Sequence, residues 1–123
     1  MGRVALYINR AAGGDQDERW PWGTDWDESR ANTDENGVNS TTPVWMYPAG
    51  CSDPFGVWDM GGNVWEWLDT WYDSDKDSKA LRGGSWYYDR GFARVGRRYW
   101  DYPDYSDSYV GFRVVFSPAG SGS

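Results

Sequence analysis

The chain has 123 residues, a formal net charge of −7, and 10 Trp, 9 Tyr and 4 Phe, but no histidine and one cysteine. This length suits a single domain, and so many aromatic residues argue against a disordered chain. With Cys51 as the lone cysteine, an intrachain disulfide, zinc sites built from Cys and His, and catalysis by a nucleophile and an imidazole are all excluded.

Two classes of partner are disfavoured by the apolar and charge patterns. No apolar run approaches the roughly 18 residues of a membrane span, so we expect no direct membrane contact. Residues 1–81 hold 15 acids and 6 bases, whereas residues 82–123 hold 4 acids and 6 arginines. Arginines among aromatic residues could stack on single-stranded nucleic acid, but phosphate contacts need positive potential. The negative net charge therefore predicts no nucleic-acid partner.

The first half of the chain is predicted to contain little regular structure. A short helix is expected over residues 4 to about 12, ended by the two glycines at 13–14. Residues 20–23 are predicted to form an aromatic turn, and the acid-rich residues 25–37 a loop. Residues 44–47 predict a strand, which the following proline ends.

The second half is predicted to hold more of the strands. Residues 63–71 fit either a short helix or a strand, whereas Leu81 and residues 112–116 favour strands. Sixteen glycines and six prolines indicate many turns and little helix. Residues 117–123, rich in Ser and Gly, read as a flexible tail. Together these elements predict a compact, mixed α+β fold.

Residues 87–109 have the composition of a binding surface. Six tyrosines are mixed there with Asp, Ser, Phe and Trp, as in the contact loops of antibodies. At this density, burial would leave polar groups unpaired, at about 1–3 kcal/mol each, so part of the tract should face solvent. We read Arg94, Arg98 and Pro103 as structural, and expect about a third of the tyrosines to complete the core. The candidate contact residues are Tyr87, Tyr88, Asp89, Phe92, Tyr99, Trp100, Asp101, Tyr102, Tyr105, Asp107, Ser108 and Tyr109.

Several phrases follow one another in a distinctive order. WPWG stands at 20–23, RAN at 30–32, GNVWEW at 62–67, RGGSW at 82–86 and GFR at 111–113. In this order and spacing they resemble the formylglycine-generating (sulfatase-modifying) enzyme family, whose fold is a variant of the C-type lectin fold. The resemblance runs from about residue 10 to 116. It implies a shortened, loop-rich C-type lectin domain over residues 1–116, with short helices and small antiparallel sheets.

The same resemblance, taken residue by residue, argues against catalysis. The oxidases of the family act through a copper-binding pair of cysteines shortly after the GGS phrase. Aligned on residues 83–85, those positions hold Tyr88 and Ala93. No thiolate remains to hold Cu(I), which soft sulfur ligands select. We therefore predict that the protein is not an enzyme and binds no copper.

A second branch with this fold, the variable proteins of diversity-generating retroelements, is more similar to the chain. Such proteins carry a C-terminal stretch rewritten by adenine-directed mutagenic reverse transcription, chiefly at AAC codons. Of the 23 residues at 87–109, only Trp100 cannot arise from a randomised AAC codon. The resemblance implies a hypervariable surface that binds an unknown protein or cell-surface ligand. Display on a cell or virion is the expected setting, although the N-terminus shows no signal peptide; the sequence indicates no oligomeric state.

The family's enzymes often carry a structural calcium ion, and part of that site has a counterpart here. Two carboxylates and two carbonyls within eight residues suit a hard cation. In the alternative interpretation, Glu66 instead pairs with an arginine such as Arg82 or Arg113. The matching elements are Asp59, the carbonyls of Gly62 and Val64, and Glu66.

Two other functions stay open at this point. One is a formylglycine-generating-type oxidase or a degenerate relative, which would need a metal or cofactor site. The other is a fixed, calcium-dependent carbohydrate-binding lectin, which would be favoured if aromatic residues and calcium met in one pocket.

Overall fold

The computed structural model describes residues 11–12, 18–53 and 55–114. The predicted helix over residues 4 to 12 lies almost wholly outside these ranges, as does the tail at 117–123. Within the described ranges, no helix has the length and apolar character needed to cross a membrane.

The described part of the chain is built on one four-stranded sheet with the order β3-β2-β1-β4. Its strands are β1 (Trp65–Trp71), β2 (Lys79–Arg82), β3 (Arg98–Asp101) and β4 (Val110–Gly111). The pairs β1–β2 and β2–β3 are antiparallel, whereas β1–β4 is parallel. The sheet is therefore mixed, and the expectation of purely antiparallel sheets is wrong for these residues.

The helices that lie wholly within the described ranges are short 3₁₀ helices. They span Glu28–Arg30, Asp34–Asn36, Pro48–Gly50 and Arg90–Ala93. Long loops join them to the sheet, as the glycine and proline content predicts. The loop-rich α+β class is confirmed.

The ambiguous residues 63–71 form a strand. The sequence WEWLDTW is rich in the aromatic residues that strands favour. Trp67 pairs with Leu81, and the register then shifts before Trp71 pairs with Lys79, so β1 contains an irregularity. Because the side chain of Trp65 is 0% exposed, the start of this strand lies at the centre of the fold.

Two predicted strands are wrong. Residues 44–46 form a turn closed by the Met46 amide, which donates to the Pro43 carbonyl at 3.1 Å; their apolar side chains are exposed. The final strand ends at Gly111, and Phe112 and Val114 are 75% and 80% exposed. Residues 115–116 lie outside the described ranges. In both places apolar residues favour a strand, but no strand of the described ranges pairs with residues 44–46 or 112–114.

The core is small and depends on close backbone approach. A cluster of Ala12, Met60, Leu68, Ala80 and Val95 lies beside the sheet. At Gly62, whose φ is +80°, an added Cβ would lie 2.6 Å from the Asn32 carbonyl oxygen. At Gly84, with φ +69°, it would lie 3.1 Å from the backbone of Phe92 and Ala93. The paired glycines thus let three loops pack against one another.

Candidate ligand-binding surface

Three of the predicted contact residues pack on Trp65. Tyr99 stacks on its indole ring, with centroids 5.4 Å apart, while Tyr88 and Phe92 approach edge-on at 5.4 and 6.1 Å. Burial, and after it the neighbouring Tyr99, raises the pKa of Tyr88. All three side chains are half-buried. They belong as much to the scaffold as to a contact surface, which matches the expectation that some of the tyrosines complete the core.

A second group of aromatic rings is more open to solvent. Tyr87 is 60% exposed and stacks on Tyr109, with centroids 5.4 Å apart and planes at 19°. Trp86 contacts both rings edge-on, at 5.7 and 6.4 Å. Its indole nitrogen donates to the Ser108 carbonyl at 3.3 Å. These contacts bring the two ends of the tract side by side.

A hydrogen-bonded relay fixes the C-terminal part of this group. The Tyr105 hydroxyl donates to Asp107 Oδ2 at 2.6 Å, and it lies 3.0 Å from the Tyr109 hydroxyl. Because the single Tyr105 proton is used on Asp107, Tyr109 must be the donor to Tyr105. The bond to Tyr105, with burial, raises the pKa of Tyr109 to about 12. The bond from Tyr105, with that from the Ser108 amide, lowers the pKa of Asp107.

A third part of the tract lies along β3. Burial alternates along this strand, so Tyr99 faces the core while Trp100 is exposed. Trp100 and the 53%-exposed Tyr102 meet edge to face, with centroids 5.8 Å apart. The Tyr105 amide donates to the Tyr102 carbonyl at 2.9 Å, which connects this part to the relay.

Two predicted contact aspartates make local backbone contacts. Asp89 caps the 3₁₀ helix Arg90–Ala93 by accepting from the Gly91 amide at 2.9 Å. Asp101 accepts from the Tyr102 amide at 2.8 Å. Both carboxylates thus help to set the shape of the loops that carry the aromatic rings.

The arginines read as structural have scaffold contacts. Arg94 forms an ion pair with Glu18 and lies over the Trp20 ring. Arg98 donates to the Tyr72 carbonyl at 2.5 Å. Their side chains hold neighbouring loops in place.

Sequence reasoning missed Trp86 and the relay. Trp86 is not among the candidate contact residues, although it directly precedes the tract and contacts two of its rings. The relay joins Tyr105, Asp107 and Tyr109, and this spacing of two could have indicated side chains on one side of an extended segment.

One of the predicted calcium ligands, Glu66, is already part of an ion pair. Glu66, which is 7% exposed, accepts from Arg113 Nε at 2.9 Å on both oxygens and from an Nη at 2.6 Å. Arg82 instead donates to the Val95 carbonyl at 2.8 Å. The alternative pairing of Glu66 with an arginine is therefore present, and the arginine is Arg113.

Asp59 differs from Glu66 because its carboxylate has room for another partner. Its Oδ2 is buried without a hydrogen-bond partner, and burial raises the pKa of Asp59 to about 6. Asp59, Val64 and Glu66 border one cavity of about 360 Å³. Among the described residues, no three His, Cys, Asp or Glu side chains form a metal-binding group. The donor set fits calcium only if Glu66 shares its oxygens with Arg113.

The two positions that the family resemblance aligns with the copper-binding cysteines hold Tyr88 and Ala93. Tyr88 packs edge-on against Trp65, and Ala93 is buried. A phenol and a methyl group offer no soft ligand for copper.

The comparisons with known proteins identify the family. The family profile described as "Sulfatase-modifying factor enzyme 1-like domain" matches residues 7–118. The chain belongs to this family.

Individual relatives have diverse names. The chain is 35% identical over 122 residues to serine/threonine-protein kinase pkn1 of Chlamydia caviae, covering 85% of this chain and 19% of that protein. It is 32% identical over 121 residues to inactive C-alpha-formylglycine-generating enzyme 2 of Bos taurus, covering 85% and 40%.

Among solved structures, Treponema denticola variable protein 1 has the same fold. It superposes with a TM-score of 0.76 at 24% identity, covering 89% of this chain and 44% of that chain. The present chain thus spans less than half the length of each of these three proteins.

Proposed function

We propose that the chain is a ligand-binding variable protein of the diversity-generating-retroelement type and not an enzyme. Residues 87–109 form its variable surface, and the rest is a fixed scaffold of the C-type lectin type. The observation that carries this proposal is the arrangement of the tract around Trp65. Tyr88, Phe92 and Tyr99 anchor it to the scaffold, while Tyr87, Trp100 and Tyr102 are exposed to solvent.

The exposed rings supply contact area without much loss of conformational freedom. Tyr87 is stacked on Tyr109, and Tyr109 is tied through Tyr105 to Asp107. Side chains held before a ligand arrives lose less entropy on binding. Tyrosine adds a rigid apolar face and a polar tip, as in antibody contact loops. The surface therefore binds through preorganised aromatic anchors, surrounded by Asp and Ser.

The partner of this surface is a protein or another cell-surface ligand, selected through one variant of the tract. The proposed setting is display on a cell or a virion. Tyr88 and Ala93 stand where the family's oxidases need a thiolate pair, so the chain lacks the sulfur ligands for that catalysis.

The experiment that tests this function is to sequence the native locus. We expect a near-copy of the DNA for residues 82–113, differing at adenines in that copy, beside a gene for a reverse transcriptase. Such a copy would also identify the variable residues directly. If the locus holds no copy, the tract is a fixed site and the proposal is wrong.

A second candidate is a fixed, calcium-dependent lectin. The observation that favours it is the cavity of about 360 Å³ in which Trp58 and Phe112 lie beside Asp59 and Glu66. Aromatic faces with carboxylates and a hard cation suit a sugar. Sugar-array binding that EDTA abolishes would support this function, and binding unchanged by EDTA would count against it.

A further inference from the structure

A separate cavity lies outside the proposed variable surface. It has a volume of about 540 Å³ and is formed by the loop that follows the WPWG turn. This cavity, called the groove below, is lined by residues that include Trp22, Trp26, Asp25, Asp27, Glu28 and Arg30. No residue of this groove belongs to the tract at 87–109.

The aromatic wall of the groove is fixed in place. Trp22 and Trp26 contact each other with centroids 5.6 Å apart and planes at 46°. Behind them, the buried Trp20 contacts Trp26 at 5.3 Å and donates through its indole nitrogen to the Arg90 carbonyl at 2.8 Å. The Trp22 indole nitrogen donates to the Asp25 carbonyl at 2.9 Å. Both groove rings are half-buried, so each presents only part of its surface to the cavity.

The charged wall carries an excess of negative charge. Arg30 is committed to Asp27 through Nε at 3.3 Å and to the Ala49 carbonyl at 3.2 Å. Asp27 also accepts from the amide and hydroxyl of Ser29, at 3.0 and 2.6 Å. Asp25 and Glu28 are exposed, and neither has an ion-pair partner among the described residues. Three carboxylates and one guanidinium leave an excess of two negative charges in the groove.

We propose that this groove binds a cationic group, either a quaternary ammonium or the side chain of a lysine or arginine. The face of a tryptophan ring attracts cations through its quadrupole, and recognition of such groups commonly combines aromatic rings. Two unpaired carboxylates at the rim add Coulomb attraction and repel anions. A neutral sugar would gain from the rings but not from the excess charge.

The decisive test compares choline with 3,3-dimethyl-1-butanol, its uncharged carbon isostere. Each compound is titrated into the isotopically labelled protein. Binding is monitored by the NMR signals of the Trp22 indole N–H and of the backbone amides of residues 23–28. We expect choline to bind about 15- to 25-fold more tightly than the isostere, because only the charged compound gains the attraction to the ring and to the two carboxylates. Equal affinities, or choline shifts confined to other parts of the protein, would overturn the proposal.

Variants separate the charge from the rings. Asp25→Asn combined with Glu28→Gln changes only exposed carboxylates and should weaken choline binding about fivefold. Trp22→Leu should abolish it. The control is Trp45→Leu, which removes an exposed indole (67% exposed) outside the groove and should change nothing. If the charge variant retains full affinity, the proposal fails even where Trp22→Leu does not fold.

The source of the cation is decided by a second series of compounds. N-acetyl-lysine methylamide and N-acetyl-arginine methylamide represent a basic peptide, and choline represents a quaternary ammonium compound. The tighter binder identifies the source, and either result supports a cation site. A neutral sugar such as methyl glucoside binding more tightly than all three would overturn it. Because no groove residue is in the tract, this outcome is independent of the sequence of the native locus.

Discussion

Arg113 holds the buried carboxylate of Glu66 from a position 47 residues further along the chain. Glu66 also pairs with Gly111 in the parallel contact between β1 and β4. The backbone ladder and the side-chain pair therefore act on the same two segments. The remaining donor contacts of Arg113, to the carbonyls of Trp58 and Asp59 at 3.1 and 3.0 Å, join the preceding loop to them.

Arg113→Met should destabilise the protein by about 3 kcal/mol, because it leaves the Glu66 carboxylate buried without its partner. Urea unfolding measures this loss. Adding Glu66→Gln should recover part of it, since the buried charge is then removed. Arg90→Met, at an exposed arginine, is the control and should change stability by less than about 0.5 kcal/mol. A wild-type midpoint in Arg113→Met would show that the pair contributes nothing.

Tyr99→Ala and Tyr102→Ala should have different effects on stability, although they remove the same side chain. Tyr99 stacks on the fully buried Trp65, so its loss should cost about 2 kcal/mol or more. Tyr102 is 53% exposed and should cost less than about 0.5 kcal/mol. Comparison of the two denaturation midpoints checks this. Equal midpoints would mean that the rings of the tract are not divided between core and surface.

The sequence alone was sufficient for the family, whereas the binding role of the tract stays a prediction. The phrases at 62–67 and 82–86 can be recognised from the order of their glycines and aromatic residues, although Gly62 is needed for close approach to the distant backbone of Asn32. The tyrosine-rich composition of residues 87–109 marks a surface because so many polar groups cannot be buried. These signals are local, so they can be read without knowing the fold.

What the sequence could not supply depends on distant neighbours. WEWLDTW at 65–71 fits two periodicities, and only pairing with Leu81 and its neighbours makes it a strand. Residues 44–46 are as apolar as a strand but remain exposed, because no segment within the described ranges covers them. The division between Tyr99 and Trp100 follows from which face of β3 meets Trp65, and that contact spans 34 residues of chain. Long-range packing, and not local preference, decides each of these cases.

Calcium should raise the melting temperature of the wild-type protein if Asp59 and Glu66 hold a cation. A ligand that binds only the folded state stabilises it in proportion to RT ln(1 + [L]/Kd). Scanning calorimetry in millimolar CaCl₂ and in EDTA measures the difference. Asp59→Asn should abolish this difference in melting temperature. It removes the carboxylate whose buried Oδ2 accepts no hydrogen bond and is therefore available to a cation. Asp75→Asn, in an exposed turn, is the matched control. Identical melting curves in calcium and EDTA would exclude a stabilising calcium site.

Tyr109→Phe should remove a phenol that ionises near pH 12. The bond from Tyr109 to Tyr105, together with burial, raises the pKa of Tyr109 to about 12, above the value of about 10 for a free tyrosine. The folded state therefore binds this proton more tightly than the unfolded state. Its contribution to stability is complete below about pH 10 and is lost as the pH rises through about 12.

Ultraviolet titration of tyrosinate, run on wild type and on Tyr109→Phe, should show this ionisation in the wild type alone. The stability difference between the two proteins should be constant at neutral pH and shrink above about pH 10. Tyr47→Phe, outside the tract, is the control. If the ionisation lost in Tyr109→Phe instead lies near pH 10, the value for a free tyrosine, the relay from Tyr109 through Tyr105 to Asp107 does not form, and this part of the surface is not held in place before a ligand binds.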